Sequence, residues 1–195
     1  MYHLHHTIGI VLAARAAGEV DRRYRILTRD LGVVTATAKG VRSLHSKLRY
    51  ALQVYSYVDV VLVRGGGGWR VTNALPRVNI HRQLQERPAC CAAFIRSMRL
   101  IERLVQGEER HEELFSLIEG AGVAFMSPEM SDVDASRIEV VLVLRLLRLL
   151  GYVGADPDLS TLAGSTWHPE LLSEGERRRA EIVAVINQAL QESHL

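Results

Sequence analysis

Period-2 patterning, short β-rich runs and glycine punctuation mark roughly the first eighty residues, and apolar residues recur at helical spacing after Pro76. A period of two places one face of an extended segment against a core, whereas a period near 3.6 does so for a helix. The chain therefore reads as a β part followed by an α part. Strands are expected over Thr7 to Ala14, Arg22 to Arg29, Val33 to Lys39, Ser56 to Val63 and Trp69 to Asn73. Asp30-Leu31-Gly32 is a turn between the second and third, and Gly65 to Gly68 supplies a hairpin loop between the last two. Five short strands in so few residues fit a small closed barrel, expected over residues 1–78.

The remainder, 79–195, is expected to be helical. Phe94, Met98, Ile101 and Val105 form one stripe of a helix that Pro88 can open at its first turn. Glu109 to Ala124 reads as a second helix. Ser131 to Leu150 reads as a third, with Ser131 or Asp132 as N-cap and Gly151 just past its end. Residues 152–172 lack any period and read as an irregular loop. Ser173 and Glu176 stand at capping-box spacing before a final helix with Ile182, Val185, Ile186, Ala189 and Leu190 on its apolar face.

At 195 residues and 48% hydrophobic content the chain can bury a core, which argues against disorder. Its net charge of +2 conceals an uneven distribution. Up to Ile80 there are 12 Lys+Arg against 4 Asp+Glu, and beyond it 12 against 18, so a +8 segment precedes a −6 segment. A one-signed field on one module is the footprint of a polyanion partner. No apolar run is long enough to span a bilayer, and Val140 to Leu150 carries Arg145 and Arg148, so no membrane segment is expected. Ile8 to Ala17 is interrupted by Arg15 and does not read as a signal peptide.

The positive charge is concentrated. Between Asp30 and Asp59 there is no acidic residue, while Lys39, Arg42, Lys47 and Arg49 fall close together and include both lysines of the protein. Arg23, Arg25 and Arg29 stand at even spacing on the preceding strand, which predicts one shared sheet face. Tyr24, Tyr50, Tyr55, Tyr57 and Trp69 interleave with this charge, and a ring stacked on a base is worth about 1–3 kcal/mol whatever the base. Taken singly these aromatics read equally as core residues of strands; the cluster of cations is the more specific signal.

Gly9-Ile10-Val11-Leu12, Gly18-Glu19 with Asp21-Arg22, Leu27-Thr28-Arg29 with Gly32, and Ala38-Lys39-Gly40-Val41-Arg42 stand in an order similar to the amino-terminal domain of the RecO family. Ser46-Lys47-Leu48-Arg49 with Leu52-Gln53, and Leu62-Val63-Arg64-Gly65 leading to Trp69, extend the resemblance, and Leu146 to Tyr152 adds a leucine-rich helix. The resemblance implies an OB-fold barrel followed by a helical domain, acting in DNA repair and homologous recombination in the bacterial cytoplasm at the nucleoid. It implies binding of single- and double-stranded DNA, strand annealing, and work with RecR and single-strand-binding protein to load RecA. It marks Lys39, Arg42, Lys47 and Arg49 as DNA contacts, joined by Arg23, Arg25, Arg29, Tyr50 and Trp69 from the reading of the residues. It also implies that the helical domain receives the acidic C-terminal tail of single-strand-binding protein, for which Arg145 and Arg148 are the candidates. Many members carry a four-cysteine zinc ribbon where this chain has residues 154–172 without cysteine, so no zinc and no other cofactor is expected. The closing residues 186–195 are similar to the tail of shortened members.

Other chemistries are weakly supported. His3, His5 and His6 lack an identifiable further ligand, and adjacent Cys90 and Cys91 suit neither an ordinary mutual disulfide nor a metal knuckle. Glu108, Glu109, Glu112 and Glu113 read as residues of a helix start. No serine elbow, phosphate loop or dinucleotide fingerprint is present, and no enzymatic activity is expected. The alternative to a DNA-binding mediator is an adaptor that bridges RecR and other repair factors with little DNA affinity of its own.

Overall fold

The computed structural model describes residues 3–154, 159, 162, 164 and 167–192. Five strands, β1 (Leu4–Ala16), β2 (Arg22–Thr28), β3 (Gly32–Ala38), β4 (Ser56–Gly65) and β5 (Gly68–Asn79), close into a barrel in the order β1-β2-β3-β5-β4. Four of the seams are antiparallel; β3 and β5 run parallel and pair only at Ala36 with Trp69 and Thr37 with Arg70. This is the expected five-stranded OB-fold, with its helices following.

The alternation of the sequence explains the interior. Tyr24, Ile26, Val34, Ala36, Val58, Val60, Leu62, Trp69 and Val71 belong to one buried cluster. In β1 a register shift between Val11 and Ala13 reverses the parity, so Val11 faces the core before it while Ala14, opposite core Tyr24, does so after it. The sequence places the end of the last strand too early. β5 continues through Pro76 to Asn79, because a second irregularity between Tyr57 and Val58 falls beside the proline, where a missing N–H is tolerated. Gly65 and Gly68 pair across a tight hairpin, and Gly68 takes φ +93°.

A short helix, α1 (Leu48–Ala51), lies in the β3–β4 connection. After β5 come α2 (Ile80–Gln83), α3 (Pro88–Leu104), α4 (Glu112–Met126), α5 (Asp132–Leu149), α6 (Pro169–Arg177) and α7 (Arg179–Glu192). None of the helices among the described residues is long and apolar enough to cross a membrane. The chain forms two compact units, one of Met1–Gln83 with Glu102–Glu112, the other of Leu84–Ile101 with Glu113–Leu195.

In the first unit, Glu102–Glu112 is a strap laid on the barrel. The Val33 amide donates to the Gly107 carbonyl at 2.9 Å, and Arg25 Nη2 donates to the Val105 carbonyl at 2.7 Å. Gly32 makes the fit possible: its φ is +65°, and a Cβ there would fall 2.2 Å from the Glu109 carbonyl oxygen.

The second unit packs Phe94 edge-on to Phe125 with ring centroids 5.9 Å apart. Cys90 is buried and Cys91 half-buried, both as free thiols, and burial pushes the Cys90 thiol up. Helix α5 begins at a capping box: the Asp134 amide donates to Ser131 Oγ, and the Ser131 amide donates to the Asp134 carboxylate. It ends with Gly151 at φ +78°, whose amide donates to Arg148 while that of Tyr152 donates to Leu147. The last helices start differently from expectation. Ser173 lies inside α6, whose N-cap is His168 with Pro169 at the first helical position, so the end of the expected 152–172 loop is helical. Much of the rest of that loop, and the last three residues of the family-like tail, lie outside the described residues.

Candidate nucleic-acid interface

The basic segment leaves β3 at Lys39 and is fixed by short backbone constraints. Gly40 takes φ +62° and its amide donates to Asp21 Oδ1 at 2.7 Å. The Arg42 amide donates to the Val20 carbonyl, and its guanidinium reaches the Gly18 carbonyl at 3.3 Å. Val41, Ala51 and Leu52 drop into the barrel core. With these apolar anchors inside, Lys39, Arg42, Lys47 and Arg49 are all left exposed. Tyr50 follows at 68% exposed, its ring open to solvent.

At the mouth of the barrel, Arg22, Tyr24, Val41, Arg42 and Arg49 enclose a recess of about 280 Å³. None of these lining residues is acidic. Burial raises the Tyr24 phenol above its ordinary range, against the opposing influence of Arg22, so it stays a neutral donor at physiological pH. Arg22 was not among the sequence candidates. Its signal was parity: it stands two residues before Tyr24, so it follows that core residue to the inner side of β2.

Arg23 and Arg25 share the outer face of β2, as expected, and line one recess, but Arg29 does not join them. Arg23 is exposed on the outer side of β2, whereas Arg25 is half-buried and engaged with the strap carbonyl. Arg29 lies just beyond β2 and lines a separate cleft of about 510 Å³ with His6, Asp30, Asp59 and Arg77. There Arg77 donates two 2.8 Å hydrogen bonds to Asp59 and holds its carboxyl below the ordinary carboxylate range.

Trp69 is likewise not a platform for bases. It is 6% exposed and sits in the barrel core; Nε1 donates to Glu108 Oε1 at 2.9 Å, and His5 meets the ring edge-on at 5.1 Å. Arg64 lies over the indole and pairs with Glu108 at 3.1 Å. Of the expected aromatic contacts, the exposed ring is Tyr50.

Arg145 and Arg148 are both engaged within the chain, Arg145 buried and Arg148 half-buried. Arg145 is 3% exposed, donates Nε to the Leu162 carbonyl at 2.6 Å, and stacks 4.8 Å from the Trp167 ring centroid. Burial pushes its guanidinium down to about 10, which leaves it charged at neutral pH. Arg148 Nη1 donates to the Leu159 carbonyl at 3.0 Å. Two arginines that looked like a binding pair instead hold the chain beyond α5.

The candidate interface therefore consists of exposed cations on a loop anchored by backbone hydrogen bonds, a guanidinium-lined recess and one exposed ring. Guanidinium forks match phosphate oxygens, and among the described residues no salt bridge engages Lys39, Arg42, Lys47 or Arg49.

The chain has relatives among known proteins. Residues 1–75 match the family described as Recombination protein O N terminal. The chain is 31% identical over 159 residues to "DNA repair protein RecO" of Alkaliphilus metalliredigens, covering 80% of this chain and 60% of that one. It is 30% identical over 149 residues to the protein of that name in a Roseiflexus species, covering 76% and 50%. With the Streptomyces griseus protein the identity is 48% over 59 residues, covering 30% and 24%. The matched region thus spans about half the length of the longer-aligned relatives.

Proposed function

The chain belongs to the RecO family, and from that we propose that it is a DNA-binding mediator of homologous recombination and repair that works without a catalytic centre of its own. The observation that carries the reading is the basic loop, with Lys39, Arg42, Lys47 and Arg49 exposed around the recess that Arg22 completes. Phosphates of a single strand bind these cations, and Tyr50 stacks on a base. Neutralised phosphates repel one another less, while base edges left free of contact pair with a complementary strand; annealing follows. Duplex binds the same loop through its backbone. In this reading RecR and the acidic tail of single-strand-binding protein are the protein partners, and RecA loading onto the coated strand is the outcome.

The test is anisotropy of a labelled single strand across a salt series. The log–log slope should be about −0.7 per phosphate contacted, and Lys39→Ala with Arg42→Ala should flatten it by the two contacts removed. A slope unchanged in the double variant would assign the protein to the adaptor role, with partner binding rather than DNA as its function. Annealing of complementary oligonucleotides with and without single-strand-binding protein separates the two roles independently.

A further inference from the structure

Successive residues of a strand point to opposite faces, and Arg22-Arg23 places one guanidinium on each side of β2. Arg22 enters the recess at the barrel mouth; Arg23 lines a second recess of about 380 Å³ on the outer face, with Arg15, Arg25, Thr35, Glu102 and the small residue Ala13. The register extends this outer site into a row. Arg15 pairs with Arg23 across β1 and β2, Arg23 with Thr37 across β2 and β3, and Thr37 with Arg70 across β3 and β5. With strands spaced by about 4.8 Å, the row crosses the sheet over about 14 Å.

Arg15, Arg23 and Arg70 are exposed, and no carboxylate pairs with any of them among the described residues. Like charges directly opposite on neighbouring strands destabilise a sheet. The Arg15–Arg23 pair is therefore a standing cost that a bound anion would relieve. Arg25, held by the Val105 carbonyl, and the Glu102 carboxylate line the same recess but stand outside the registered row.

We propose that the Arg15–Arg23–Thr37–Arg70 row is a second phosphate track that takes a nucleic-acid strand other than the one held at the barrel mouth. The proposal rests on the DNA-binding reading above and specifies how many strands one chain holds. Residues 17–21, which join Ala16 at the end of β1 to Arg22 at the start of β2, carry Glu19 and Asp21, and these carboxylates disfavour one phosphate backbone running from one site to the other. A strand on each side of β2 gives a single chain two strands to present to each other.

Native mass spectrometry with short oligothymidylate, which cannot pair with itself, counts strands per chain. The expected result is one chain with two strands at saturation for the unaltered protein, and one chain with one strand for Arg15→Gln/Arg70→Gln. First-strand affinity in that variant should change by no more than about twofold, since its sites lie outside the barrel mouth. Arg42→Ala/Arg49→Ala should weaken the first strand instead. Thermal midpoints check folding, and where the double variant is less stable the single variants carry the same readout. Two strands still bound by Arg15→Gln/Arg70→Gln would overturn the second track, as would an unaltered protein that stops at one strand. An unaltered protein that binds no strand would overturn the barrel-mouth reading itself.

Discussion

Trp69 and Tyr50 separate two roles that the residue type alone leaves merged. Replacing Trp69 by Ala should cost about 3–5 kcal/mol of folding stability, read from urea unfolding, because it empties a buried site. Trp69→Phe should cost about 1 kcal/mol, the loss of the Nε1 bond to Glu108. Tyr50→Ala should leave stability within about 0.5 kcal/mol and weaken single-strand binding by about 1–3 kcal/mol, measured by anisotropy. The sequence identifies both as aromatics beside a basic run, yet the side each faces depends on context that a residue count does not carry. For Trp69 the parity was available, since it shares a strand with core Val71. For Tyr50 it was not, because it sits in the short helix α1, which the charge-dense segment gave no reason to expect. Arg145 fails as a candidate for a different reason: its partners Leu162 and Trp167 are more than a dozen residues away, in a stretch without periodicity.

Elements with local signals were legible. Five strands and the main helices followed from periodicity, and both ends of α5 from Ser131 and Gly151. Ser131→Ala should lower stability by about 1 kcal/mol through the lost cap. Hydrogen bonding from Ser131 is the main influence holding the Asp134 carboxyl below its ordinary range, aided by Arg137 and opposed by burial. A depressed folded value means the contribution is present above the unfolded value of about 3.9 and fades as pH falls through the folded one. Asp134→Asn should therefore flatten the acid limb of stability against pH, measured by denaturant midpoints. His168 as an N-cap was masked by the better capping residues nearby, although Pro169 marked the first turn. The strap was not legible at all, for its place on the barrel rests on contacts some eighty residues apart. Gly32→Ala should displace it and speed hydrogen exchange at the Val33 amide, which donates to Gly107.

For the whole molecule, segregated charge governs behaviour that the net of +2 would not. The protein should be retained on heparin to higher salt than its net charge warrants, and Lys39→Ala/Arg42→Ala should elute earlier; elution conductivity is the measurement. The charge split near Ile80 was visible in the sequence and set the basic segment apart, while charge alone said nothing of the strand parity that turns Arg22 and Trp69 inward. The barrel has one thin seam, the parallel junction of β3 with β5, where only two residue pairs meet. The strap grips both sides of it: Gly107 accepts from Val33 on β3, and Glu108 accepts from Trp69 on β5. Glu102–Glu112 thus acts as the clasp of a ring, so a lesion in this helix-to-helix connection would be felt first as breathing of the barrel.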